Sequence, residues 1–250
     1  MTAPDSRGTP DLPDAGERAV ARPAGAPLPD HSPPTGAPPG EGGDGSVLGP
    51  RAALVLRQAL DTALGEERAA DLTRELREAA GDTGRLRARF PAAGRRYGRQ
   101  SLPGAPAGWK VEDAVRTALL LQAPPGPEGA AEAALLYRQG DAAERRGVLR
   151  ALPYLPVGDA ALELVHDALR ANDPRLVEAA VGPYAGRHLE QAAWRQAVLK
   201  CLFIGVPLSA VAGLEERRDG ELTALAEGLA AERRAAGRTV PDDVALLTSG

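Results

Sequence analysis

The sequence predicts an all-α fold: an irregular array of helical hairpins, HEAT-like in part, behind a disordered N-terminal tail. Beyond residue 46, apolar residues recur with the helical period of about 3.6 and no segment alternates in the manner of a strand. Ile204 is the sole isoleucine among 250 residues and aromatics make up 3%, so the residues that favour strands are scarce. Glycines, aspartates and prolines punctuate the periodic segments at the positions where helices stop and start.

Residues 1–46 hold 10 of the 23 prolines and no aromatic side chain. That stretch carries too little apolar surface to offset the entropy of ordering it, so 1–46 is expected to be a disordered Pro/Gly-rich tail and 47–250 the helical domain. It has no basic stretch leading into an apolar run, so no Sec-type export signal is expected and a cytoplasmic location is. Cys201 is the only cysteine, which excludes an intrachain disulfide or a thiolate metal cluster. A net charge of −4 excludes a wholly basic nucleic-acid binder.

The elements follow in order. In "RAALVLRQALDTALG", Ala53, Leu56, Leu60 and Leu64 share a face that stops at Gly65, and Ala69, Leu72, Leu76 and Ala80 repeat the spacing up to Gly81. These predict two antiparallel helices. "GWKVEDAVRTALLLQAPPG" sets Val111, Ala114, Val115, Ala118 and Leu119 on one side and ends at Pro124-Pro125. A helix over 128–139 closes at Gly140, and Asp141 with Glu144 forms a capping box for the next. Asp159 is positioned to cap a helix whose Leu162, Val165 and Leu169 face inward, with Glu163, His166, Asp167 and Arg170 opposite. Asn172-Asp173-Pro174 reads as turn, cap and first-turn proline; Asp219 and Gly237 bracket a last helix carrying Leu222, Leu225 and Leu229. Over 126–182 the short pairs and tight turns give the HEAT-like part, without a repeat of fixed period.

Residues 194–214, "WRQAVLKCLFIGVPLSAVAGL", concentrate apolar surface. The uncharged run from Cys201 to Leu214 has 14 residues, short of the roughly 20 that span a bilayer, so a buried helix followed by a turn is expected. Gln196 and Lys200, four apart, share a helix face bordered by Trp194, Val198, Cys201, Leu202 and Phe203. Two readings stand: Lys200 snorkels to water at the domain edge, or Gln196 and Lys200 are the polar groups of an apolar pocket.

From Thr83 to Val111 there is no acidic residue, whereas Arg85, Arg87, Arg89, Arg95, Arg96, Arg99 and Lys110 are present. This is a local positive patch, able to hold an oxyanion or simply solvated. Within "RLRARFPAAGRRYGRQSL", residues 85–102, Phe90 and Tyr97 alone are available for stacking, which disfavours nucleic acid. No HExxH, CxxC, GxSxG or phosphate-loop pattern occurs. His166 and His188 read as surface or capping residues, and Cys201 as a buried thiol poorly placed for activation by Lys200.

"GPYAGRHLEQAAWRQAVLKCLFIGVPLSAVAGLEERRDGEL" and the following "AERRAAGRTVPDD" resemble the C-terminal signature of the EboA family. Its elements fall on Pro183-Tyr184, on Trp194 to Leu208, on Gly213 to Arg217 and on Glu232 to Arg238. "RFPAAGRRYGRQSL" is similar to the family's N-terminal element. Many members carry Asn-Gln after the tryptophan where this chain has Arg195-Gln196. The resemblance implies no assigned reaction. It implies association with a gene cluster that encodes a prenyltransferase-like membrane protein and metabolic-enzyme homologues, and with traffic of secondary-metabolite precursors toward the cell envelope.

The function expected on this footing is a non-enzymatic accessory protein that binds a metabolite or the membrane prenyltransferase-like partner. Tyr184, Trp194, Gln196 and Lys200 are its candidate contacts, helped by Arg95 and Arg96. No cofactor, metal or nucleic acid is expected, and membrane association at most peripheral, through a partner. The alternative is a protein–protein scaffold using the hairpin surface of 140–173 without a small-molecule ligand; a third is an enzyme acting through Cys201 or His188.

Overall fold

In the computed structural model, residues 48–248 are described; the expected tail and its boundary lie outside the described residues. Helix α1 (Pro50–Leu64) turns into α2 (Glu66–Ala79) through the single residue Gly65, at φ 74° and ψ 168°, a conformation open to glycine and costly for any other residue. Arg57 and Thr73, equidistant from that turn, are joined by a 2.6 Å hydrogen bond, the register of an antiparallel hairpin. Two short helices follow that the periodicity did not resolve, α3 (Thr83–Arg89), capped by Asp82, and α4 (Ala93–Tyr97). At five to seven residues each, they span too few turns for a 3.6 period to show.

Residues 98–110 form a loop whose ends are pinned together, Leu102 N–H donating to Trp109 O and Val111 N–H to Gln100 O. The loop delivers the chain to α5 (Val111–Leu120), the centre of the fold. α5 packs on α1 to α4 on one side and, most extensively, on α7 (Ala142–Ala151) on the other. α7 is the second arm of a hairpin with α6 (Gly126–Gln139), and Asp141 and Glu144 make the expected capping box. A Cβ at Gly147 would lie 2.6 Å from Arg116 Cδ, so the missing side chain is what lets α7 sit this close to α5.

After a 3₁₀ turn at Leu152–Tyr154 come α8 (Leu162–Arg170) and α9 (Pro174–Ala180), the latter capped by Asp173 with Pro174 in its first turn. α5, α7 and α9 pack in succession, so the hairpins α6–α7 and α8–α9 stack side by side, which is the HEAT-like part of the fold. α10 (Pro183–His188), α11 (Gln191–Ile204), α12 (Leu214–Arg217), α13 (Gly220–Ala235) and α14 (Ala245–Thr248) complete the array, α11 packing on α9 and α13. No strand occurs among the described residues, and no helix there is long and apolar enough to cross a membrane.

Two local expectations need correction. Asp159 does not cap α8: the helix starts later, after Ala161, because the 158–161 turn is held by the Tyr184 hydroxyl, which accepts from Ala161 N–H and donates to Gly158 O. The buried stripe of α8 is accordingly Leu164, Val165 and Ala168, with Leu162 and Leu169 only half-buried. In α13 the small residues Ala226 and Ala230 join Leu222 in the core and leave Leu225 and Leu229 half-buried.

Candidate functional site

The apolar run resolves as expected into a helix and a turn. α11 ends at Gly205 in the left-handed conformation, where Gly205 and Val206 N–H both donate to Cys201 O. Trp194 is buried: its Nε1 donates to Ala212 O at 3.1 Å and the Arg217 guanidinium lies over its ring. Arg217 also donates to Gln191 Oε1, Gly186 O and Leu189 O. Tyr184 is equally buried; both hydrogen-bonding capacities of its hydroxyl serve the 158–161 turn, and its ring stacks on His188. Arg195 pairs with Asp219 and Glu221 and ties α11 to the start of α13. The partnership with Arg195 holds the Asp219 carboxyl well below the usual carboxylate range.

Gln196 and Lys200 lie on the outer side of α11, away from Trp194. They line a shallow groove with His166, Leu169, Arg170 and Phe203, and Lys200 Nζ donates to Asn172 Oδ1 at 2.8 Å. Phe203 at the rim is 61% exposed. Tyr184 and Trp194 therefore belong to the core, Gln196 and Lys200 to a surface groove, and the structure does not bring the four side chains together. Cys201 is fully buried beneath, its thiol pushed up to about 12 by desolvation.

The positive run of residues 83–111 is largely neutralised in space. Glu75 and Glu78 of α2 pair with Arg85, Arg89 and Arg96, Glu132 of α6 with Arg87, and Glu112 of α5 with Arg99. Arg95 stays exposed. The patch has charge partners from three other helices, so it is not the concentrated oxyanion site that the linear sequence suggests.

The interior of the fold holds a charged cluster that sequence reasoning missed. On α5, Asp113 is fully buried and accepts from Arg146 at 3.1 Å and Arg150 at 2.6 Å; Glu112 pairs with Arg116 and Arg146. Arg150 Nη1 also donates to Gly108 O at 2.6 Å, and its Nη2 reaches Glu178 of α9 at 3.3 Å. The cluster thus runs from α5 through α7 to α9. The signal for it was present as two pairs at helical spacing, Glu112/Arg116 and Arg146/Arg150, one turn apart on their own helices.

At the α9 end this cluster floors a cavity of about 320 Å³. Its walls come from four segments: the 106–109 loop, the end of α7 with its 3₁₀ turn, α9 to the start of α10, and the 207–210 turn after α11. Trp109 and Tyr154 meet edge to face at 5.9 Å, and Pro106, Pro153, Pro183 and Pro207 add rigid apolar surface. Arg150 lies over the Trp109 ring. Gly108 is at φ +76°, and a Cβ there would come 2.7 Å from Glu178 Oε1. The loop glycine therefore leaves room for the carboxylate and sets Trp109 in the wall. An apolar cavity with a few convergent polar groups is the common form of a small-molecule site.

No group of His, Cys, Asp and Glu side chains that would hold a metal occurs among the described residues. The sequence profile of a family described as metabolite traffic protein EboA matches residues 99–248, which takes in the whole cavity wall apart from Leu48. No characterised protein and no solved structure shows a significant match to the chain.

Proposed function

The chain belongs to the EboA family of metabolite traffic proteins, and from that premise we propose that it is a non-enzymatic accessory protein that holds a small, largely apolar metabolite in the Trp109 cavity. The observation that carries this reading is the cavity itself: aromatic and proline walls over the Arg150–Glu178 pair, assembled from four segments of the matched region. Transient holding suits traffic, because a preformed site lowers the ordering cost of binding without committing the molecule to a reaction.

Native mass spectrometry of the full chain from a cluster-bearing host, repeated after denaturation, tests the reading. A stoichiometric small molecule that disappears in Ser209→Phe, a substitution at the exposed cavity rim, is the expected result. A bare chain that also fails to take up apolar probes would overturn it.

A second reading is favoured by one observation, the exposed Phe203 beside Gln196 and Lys200. This groove between α8 and α11 is the contact surface for a protein partner of the same gene cluster, the prenyltransferase-like membrane protein being the first to try. Phe203→Glu with Lys200→Met should abolish co-purification with that protein and leave the melting temperature nearly unchanged; retained co-purification would refute it.

A further inference from the structure

We infer that the Trp109 cavity selects an uncharged, hydroxyl-bearing apolar molecule and rejects carboxylates and phosphates; this rests on the cavity being a binding site at all. The argument begins with the arginine on its floor. A lone guanidinium would recruit an anion. Arg150 is not available for that: Nη1 donates to Asp113 and to Gly108 O, both at 2.6 Å, and Nη2 is directed to Glu178. Its charge is met by two carboxylates. Of the ionised side chains in the cavity wall, Arg150 and Glu178 set one positive charge against one negative, and Asp113 lies directly behind Arg150, so the wall presents no net positive charge.

The accessible member of the cluster is the acid. The Glu178 side chain is 34% exposed, against 7% for Arg150 and 0% for Asp113, and its bond to Arg150 is the longest of those that Arg150 makes. A ligand entering the cavity therefore meets a carboxylate with acceptor capacity to spare. An incoming anion would be placed against that like charge, in a partly desolvated wall where repulsion is strengthened. The wall also carries two hydroxyl-bearing residues, Tyr154 and Ser209. A carboxylate acceptor beside hydroxyl groups that can donate, in an otherwise aromatic and proline-lined space, is the complement of an alcohol, which supplies a donor and an acceptor in return.

The pair 1-adamantanemethanol and 1-adamantanecarboxylate tests this, since they share an apolar body and differ in the head group. Binding to the full chain is followed by quenching of Trp109; Trp194, the other tryptophan, is buried in the core and serves as the constant background. The alcohol should bind about ten- to a hundredfold tighter than the carboxylate, the worth of one hydrogen bond to a charged group. Glu178→Gln should weaken the alcohol and strengthen the carboxylate, bringing the ratio toward one. Carboxylate binding equal to or tighter than the alcohol in the unmodified protein would overturn the selectivity and leave the cavity standing as a site. Failure of both probes, with Ser209→Phe indistinguishable from the parent, would overturn the cavity as a site along with it.

Discussion

Asp113→Ala is the perturbation that most directly measures what the interior charge cluster contributes. Asp113 is wholly inaccessible, accepts from Arg146 and Arg150, and also receives Lys110 N–H at 3.1 Å at the start of α5. Truncation leaves two guanidiniums with side chains 6% and 7% exposed short of a partner. Removing one member of a buried pair costs about 3–5 kcal/mol. Arg146 keeps Glu112 and Arg150 keeps Glu178, so the lower end, about 3 kcal/mol, applies. The orphaned N–H at the helix start adds about 1 kcal/mol. Urea denaturation followed by far-ultraviolet circular dichroism should then show a midpoint lower by roughly 1.5 M at unchanged slope. Asp113→Ala/Arg150→Met should cost less than the sum of its single variants, with a coupling of about 1 kcal/mol or more. A single-variant loss below about 1 kcal/mol, or strict additivity, would show that the cluster is not the clamp between α5 and α7 described above.

Tyr184→Phe should cost about 1–3 kcal/mol, because Gly158 O and Ala161 N–H lose their partner inside the core; a neutral substitution in chemical denaturation would contradict the structural role. Cys201 should resist a thiol-specific aromatic disulfide at pH 8 and yield one equivalent in concentrated guanidinium, since its pKa is pushed up to about 12; rapid labelling of the native protein would refute its burial. Arg195 holds the Asp219 carboxyl below the ordinary aspartate range in the folded state, so its contribution is complete above about pH 4–5 and is lost as pH falls through the depressed value. The melting-temperature gap between the parent and Asp219→Asn should therefore be constant near neutrality and shrink steadily below about pH 4; a gap unchanged between pH 7 and pH 2 would assign the effect to something other than this carboxylate's charge.

Much of the helical framework was legible because capping and periodicity are local. Gly65, the Asp141/Glu144 box and Asp173-Pro174 each act through neighbours within a few residues, and the structure uses them as the sequence suggests. What was not legible depended on partners distant in the chain. The acid-free run from Thr83 to Val111 reads as a positive patch only until Glu75, Glu78, Glu112 and Glu132 are brought to it by folding. Glu112, Asp113 and Arg116 look like the wet side of an amphipathic helix, yet α5 is enclosed on both sides, and the charges that compensate them sit on α7. The cavity was invisible for the same reason: Trp109, Arg150, Glu178 and Ser209 come from four separate segments, and none belongs to a recognisable local pattern.

The resemblance between 183 and 217 mixes two kinds of constraint, which the structure separates. Trp194, Gly213 and Arg217 form one packed unit: Gly213 is left-handed at the head of α12, Ala212 O accepts from the indole, and Arg217 closes over the ring while satisfying Gly186 O and Leu189 O. Tyr184 fixes the turn before α8. Core geometry is a sufficient reason for those residues. It is not a sufficient reason for Gln196, which lies exposed on the outer face of the same helix, or for Phe203, whose ring is left in solvent beside it. The motif's packed residues anchor Ala212, two residues past the turn of 207–210 that walls the cavity, whereas its outer residues face a separate groove. A substitution in the first set should therefore change stability and cavity binding together, and one in the second should change neither, which makes partner binding the informative measurement for Gln196 and Phe203.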